Sequence, residues 1–442
     1  MQSRNGVTEQ RIRRIFLLAI AVSAAALAAA GCGSGTVQAP PDESNARASI
    51  VNDEAALAAR VTDYTDAYGN STEVVPVDNA SFDTGYASPV RMLALSAPAS
   101  AAVSLTLLAE ATPPSINGKV LQATSIASDG NKALVSYNNA GLPQIGGIDV
   151  FNIAKGSKPR LKSQALFADA KVNAVSLGGS YVYAAGADNT DFPAHFEVLQ
   201  LNGQTLTLAG NHQTPLSSYA GTCAFASSRY VYATSGDNGE LSVYNPGNTL
   251  VPLKTFPLHD ARWVDVSAGV VAVAQGTPGV VSIFHENAIA TASGPVAVFP
   301  FPGSNVPESK STVQVVNGKA IVAAGDNGVQ VISLNSGNIL SWVPLPDNNA
   351  LGLPKSVVVT NAVAVDTAAG GTLMFISNGE AGVYVARSDT PFSADWGETP
   401  HTISIVGKLR FGKLQSVNHV DYRDGLLVVA AGTGGVKIVR VK

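Results

Sequence analysis

Two cysteines in 442 residues leave no disulfide framework to staple the chain. Cys223 stands in an apolar stretch, where a thiol packs as a small hydrophobe. Charge is also scarce: Asp, Glu, Lys and Arg make up 14%, with 32 acidic against 28 basic side chains. A nucleic-acid binder carries a basic excess, so that class is disfavoured and no nucleic-acid partner is expected. After an apolar run near the N-terminus no second long one follows. The chain has no His-Glu-x-x-His helix, no phosphate loop, no Cys-x-x-Cys pair and no Gly-x-Ser-x-Gly elbow. Six histidines, His195, His212, His259, His285, His401 and His419, are scattered along the chain. Nothing in this pattern calls for a cofactor or a metal, although distant parts of a fold can still assemble ligands.

What is present begins with the first 32 residues. Arg11, Arg13 and Arg14 precede an apolar run over residues 15–30, and Gly31-Cys32 follows at once. A run of about 16 apolar residues is shorter than the ~20 a transmembrane helix needs. Residues 1–31 read as a bacterial signal peptide. Ala29-Ala30-Gly31-Cys32 resembles the lipobox, in which small residues precede a cysteine that is diacylated and becomes the new N-terminus. Leu27 stands two places earlier than that pattern's leucine. The resemblance implies lipidation at Cys32 and a membrane anchor, because two or more acyl chains hold a protein where one is marginal. Gly33 is not the Asp that retains some lipoproteins at the inner membrane, so an outer-membrane destination is expected in a host with two membranes. Residues 32–49 then read as the lipidated cysteine and a Gly, Ser, Pro and Ala-rich flexible tether. Residues 50–102 read as a partly ordered extension, with one short helix over 50–63.

From residue 103 to 442 the chain repeats itself. Val172-Asn173-Ala174-Val175-Ser176-Leu177, Gly-Gly-Ser and Tyr181-Val182-Tyr183-Ala184 form one unit. Val417-Asn418-His419-Val420-Asp421-Tyr422, Arg-Asp-Gly and Leu426-Leu427-Val428-Val429 form the last. Equivalent starts fall at Thr124, Asn173, Thr222, Arg262, Thr312, Asn361 and Asn418, 40 to 57 residues apart. Turns such as Gly236-Asp237-Asn238-Gly239, Gly325-Asp326-Asn327-Gly328 and Gly432-Thr433-Gly434-Gly435 accept the positive φ of hairpins. A fourth strand lies between units, as at Thr205-Leu206-Thr207-Leu208 and Val296-Ala297-Val298-Phe299. Four strands in that length is the arithmetic of a propeller blade. The last unit stops at Lys442 after its third strand, and an unpaired apolar strand, Val103-Ser104-Leu105-Thr106-Leu107-Leu108, precedes the first unit. The expected fold is an all-β, seven-bladed β-propeller, closed by that N-terminal strand completing the last blade, so that no edge stays open. A β-solenoid or a pair of β-sandwiches explains the repeat length and offset termini less well.

At these residues the chain resembles the LVIVD-repeat propellers of bacterial envelope and secreted proteins. Asn or a small residue precedes the first strand, Tyr-Val-Ala-like second strands follow, and a Gly-rich turn leads into an Ile-Val-type strand. Residues 432–441, Gly-Thr-Gly-Gly-Val-Lys-Ile-Val-Arg-Val, are the nearest match. The third-strand Asp of that pattern is missing, with Asn335 and Arg387 in those neighbourhoods. The resemblance implies the fold and brings no catalytic residues.

Candidate site residues are therefore positional. Thr124, Asn173, Thr222, Arg262, Thr312, Asn361 and Asn418 would form a polar ring at the channel mouth, or turn caps bonding nearby backbone. His419 and Asp421, at i and i+2 on a strand, share a face and match Trp263 and Asp265 in blade 4. Such a pair can act as a base or bind metal, or tie adjacent blades. Asp188-Asn189-Thr190-Asp191 reads as a polar turn or a Ca²⁺ loop, and Trp396 as a packed plug or a binding anchor. The expected function is a lipid-anchored envelope scaffold that binds or assembles a protein or polysaccharide without catalysis. The alternative is a lactonase-like hydrolase with a metal in the channel, which rests on analogy of fold.

Overall fold

Short apolar runs alternating with Gly, Asn and Asp turns cannot bury a face alone, and here they stack as radial sheets. The computed structural model describes residues 41–45, 47–65, 103–307, 309–411 and 415–442. Residues 1–31, read above as a signal peptide, Cys32 and residues 66–102 of the expected extension lie outside the described residues.

Seven antiparallel sheets follow one another around a central channel. Blade 1 runs Gln122–Asp129, Lys132–Asn138, Gly146–Asn152 and Arg160–Phe167 from the channel outward. Blades 2 to 6 repeat that order, with inner strands Ala170–Gly178, Cys223–Ala226, Ala261–Ser267, Val313–Val316 and Ala362–Val365. Blade 7 takes three strands, His419–Arg423, Leu426–Ala430 and Val436–Val441, from the C-terminus, and Leu105–Ala111 supplies its outer strand. The register runs from Val436 opposite Ala111 to Val441 opposite Leu105. The ring thus closes as the offset termini predict.

The core is divided rather than central. Among the described residues seven apolar clusters form, one at each junction between successive blades. Blade 6 packs on blade 7 through Phe375, Val385, Val420 and Leu427, and blade 7 on blade 1 through Val428, Ile438, Ile126 and Tyr137. Burying both faces of every blade explains the Ala and Val runs of the second and third strands.

The glycine turns serve close approach as well as chain reversal. Gly432 (φ 55°) pairs with Ala123 of blade 1, and a Cβ on Gly435 (φ 70°) would stand 2.0 Å from the Ala111 carbonyl oxygen. Only glycine fits both demands.

The N-terminal segment departs from expectation in two ways. The tether expected to reach residue 49 has given way by Glu43 to strands Glu43–Ser44 and Ala48–Val51, which extend the outer edge of blade 1. The helix expected over 50–63 is only Glu54–Ala58, capped by Asp53 Oδ1 accepting from the Ala55 and Ala56 amides. The residues on either side pair with sheet edges instead. Ile50 and Val51 lie opposite Ala165 and Gln164, and Val61–Asp63 pairs with Leu105–Ala111 outside blade 7. Edge pairing satisfies more backbone than a fraying third helical turn would.

Candidate functional site

The innermost strand of each blade is an edge, with amides and carbonyls that no fifth strand meets. The seven starting residues answer that need. Thr124 Oγ1 donates to the Val172 carbonyl at 3.0 Å, Asn173 Nδ2 to Gly221 at 2.9 Å and Thr222 Oγ1 to Ala261 at 2.8 Å. Asn361 Nδ2 reaches Val417 at 3.3 Å and Asn418 Nδ2 reaches Ala123 at 2.8 Å. Each acceptor is the carbonyl just before the equivalent residue of the next blade. Thr312 Oγ1 instead accepts from the Val363 amide of the next blade. Arg262 spends its guanidinium on Asp260, on the Val306 and Ser309 carbonyls and on Ser311 Oγ. The polar ring is real, and its side chains lace blade to blade around the channel. Removing one lace exposes its cost: Asn418→Ala is expected to lower stability by about 1–2 kcal/mol, as for one hydrogen bond with a part-buried acceptor left behind. Urea unfolding of the variant measures it, and an unchanged midpoint would refute the lacing role.

A second tier lies deeper. Asp421 Oδ2 accepts from the Ser128 amide at 2.7 Å, and Asp265 Oδ2 from the Val315 amide at 2.6 Å. Ser176 Oγ and Gln314 Oε1 do the same for Ala226 and Val365. Again every donor belongs to the inner strand of the following blade. Burial raises both carboxyls, Asp265 to about 6, with the backbone amides pulling down and Asp421 adding repulsion to Asp265. At neutral pH Asp265 is still mostly ionised. Asp421 ties blades as one of its two sequence readings holds, and its hydrogen bond goes to Ser128, not to His419.

His419 does something else. Its ring lies 5.1 Å from that of Trp263, blade 7 meeting blade 4 across the channel. Its Nδ1 is buried without a hydrogen-bond partner. Burial, with the Lys310 charge adding, lowers it to about 3, so the imidazole is neutral at physiological pH. Lys310, on the loop before blade 5, reaches the other way. Its Nζ donates to the Asn173 carbonyl of blade 2 at 2.9 Å and sits 5.9 Å from the Trp263 ring centre. Two contacts therefore cross the mouth, Lys310 to Asn173 and Trp263 to His419. Arg262 positions the loop that makes this happen, since its donors hold Val306, Ser309 and Ser311 just ahead of and behind Lys310.

No protein-family model matches the chain, and no curated protein matches it. Solved structures are similar to it. The WD40 β-propeller domain of Doa1 superposes with a TM-score of 0.50 at 10% identity, covering 76% of this chain and 96% of that one. The chain shares its fold. The C-terminal WD40 domain of Sif2 gives 0.45 at 10% identity, covering 73% and 97%. BamB from Moraxella catarrhalis gives 0.42 at 12%, covering 76% and 88%. Identities this low speak for architecture alone.

Elsewhere, Trp396 is a plug at 3% exposure, stacked on Phe392 and beside His401, with Nε1 donating to the Pro391 carbonyl. Asp188 folds a tight turn, its Oδ1 accepting from the Thr190 amide. Among the described residues no group of three or more His, Cys, Asp or Glu side chains is placed to hold a metal ion. Lys310 is the residue that sequence reasoning missed. It belongs to no repeat position, and its only signal is a cation two places before a unit start.

Proposed function

We propose that this chain is a lipid-anchored propeller of the bacterial cell envelope, a divergent LVIVD-type protein that serves as a non-catalytic scaffold for a protein or polysaccharide partner. The observation that carries the reading is the commitment of the channel-mouth side chains. Six of the seven repeat positions, Asp421 and Asp265 hydrogen-bond the next blade, and Arg262 holds the loop leading into blade 5, so their chemistry is used in making a stiff ring. A stiff ring holds its connecting loops in place and so presents a surface well. The charged, apolar and small-residue order of residues 11–32 supports the anchor, and a tether ahead of Glu43 leaves the ring free of the bilayer surface.

The anchor has a direct test. Cells fed a labelled fatty acid are expected to label the wild-type chain and to leave Cys32→Ser unlabelled. Equal label in both would remove the anchor from this reading. The scaffold has a separate one: a panel of lactones and esters, offered with Zn²⁺, Ca²⁺ or chelator, is expected to show no turnover. Metal-dependent hydrolysis that survives purification would put the enzyme reading first.

A further inference from the structure

We infer that the mouth of the channel is a binding site for a single carboxylate group carried on a slender arm, held by Lys310, His419 and Trp263. The inference goes beyond the scaffold reading and does not depend on the anchor. Three facts converge on it. Lys310 places a part-buried ammonium at the channel mouth, and among the described residues no ion pair neutralises it; its one hydrogen bond is to the neutral Asn173 carbonyl. A buried charge without a counter-charge is costly, and a bound anion removes that cost. The neutral His419 imidazole beside it has a buried Nδ1 with no partner, a free donor or acceptor according to tautomer. The Trp263 indole lies against both, an apolar wall for the arm that brings the anion in.

The same geometry selects the anion. Lys310 and Trp263 keep partial contact with solvent, so the site is open from the mouth. Arg262, the nearest guanidinium in sequence, is already spent on Asp260 and the loop carbonyls, which leaves one cation. Asp265 and Asp421 stand roughly 7 Å further in, two residues along their strands from Trp263 and His419. The Asp265 charge opposes a dianion. Burial lowers Lys310 to about 8, so it remains charged at neutral pH and loses its hold above that. A monoanionic carboxylate matches one ammonium and one imidazole N–H better than a phosphate, which asks for several charged donors.

The carboxylate can belong to a small free acid or to the C-terminus of a partner chain, and the probes separate these. The purified full chain is titrated with acetate, with acetyl-triglycine and with acetyl-triglycine amide, following tryptophan fluorescence. The amide is expected to give no saturable change. Equal binding of acetate and peptide assigns the site to small acids, and binding of the peptide alone assigns it to a chain terminus. Lys310→Met is expected to weaken binding at least tenfold with little change in melting temperature, and Trp263→Phe to remove the signal. Should Lys310→Met fail to fold, the ¹⁵N shifts of His419 in the wild-type protein decide, moving with the acid and not with the amide. No saturable response to either acid, or equal affinity in Lys310→Met, overturns the site.

Discussion

A chain that starts at residue 112 is expected to lose its folded state. It would lack Leu105–Ala111, the strand that pairs with Val436–Val441 and makes blade 7 four-stranded. Leu105 and Leu107 pack into the junction of blades 6 and 7, and Leu108 and Ala111 into that of blades 7 and 1. Three buried leucines at about 1.5–3 kcal/mol each already approach the 5–15 kcal/mol by which domains are usually stable. The loss of a whole strand ladder and an exposed apolar edge come on top. Circular dichroism and size exclusion on the truncated chain are the measurement. Aggregation or an unfolded spectrum is expected, and a peptide of residues 103–112 added in trans should recover part of the signal. If the truncated chain melts within a few degrees of the full chain, the closure contributes little and the ring must be held by its other junctions.

That closure was legible in advance because two local signals agreed. The last unit ends after its third strand, and an apolar strand without a partner stands ahead of the first unit. The recurrent Gly-x-x-Gly turns were legible for a similar reason, since positive φ and close approach leave glycine as the residue that fits. The ring of Thr and Asn starts could be seen as a repeat, and capping of nearby backbone was one of its readings. Its actual acceptors could not be read, because a carbonyl 39 or more residues away becomes a neighbour only when blades stack, as Thr222 to Ala261 and Asn418 to Ala123 do. Residues 43–63 were hidden for the same cause. A run of four or fewer residues carries weak periodicity, and Ala55-Ala56-Leu57-Ala58-Ala59 has high helix propensity, so a longer helix was the local expectation. Lys310 was invisible because its meaning comes from Asn173 and Trp263, which reach it from two other blades.

The N-terminal segment matters for more than edge cover, and Asp149→Ala is where that shows. Arg60 stands between the short helix and the strand outside blade 7. Its Nη1 and Nη2 donate to the two carboxylate oxygens of Asp149 in blade 1, at 3.1 and 2.7 Å. Its Nε and Nη2 also donate to the Thr112 carbonyl, where the closing strand ends. Gln164 Nε2 fills a further site on Asp149 at 3.0 Å, and Asp149 is wholly buried. One guanidinium therefore joins the N-terminal segment, the closing strand and blade 1. Removing the carboxylate leaves an enclosed cation without its partner, which costs about 3–5 kcal/mol in such pairs. Arg60→Ala strands the carboxylate with Gln164 as its remaining side-chain donor and should cost a similar amount. The double variant should cost clearly less than the sum, because neither charge is then left alone. Urea unfolding of the four proteins gives the coupling directly. Costs that simply add would mean that Arg60 and Asp149 act separately, and that the segment is held by its strand pairing alone. Coupling of several kcal/mol would place the attachment of the N-terminal segment at the seam between blades 7 and 1, where the ring closes.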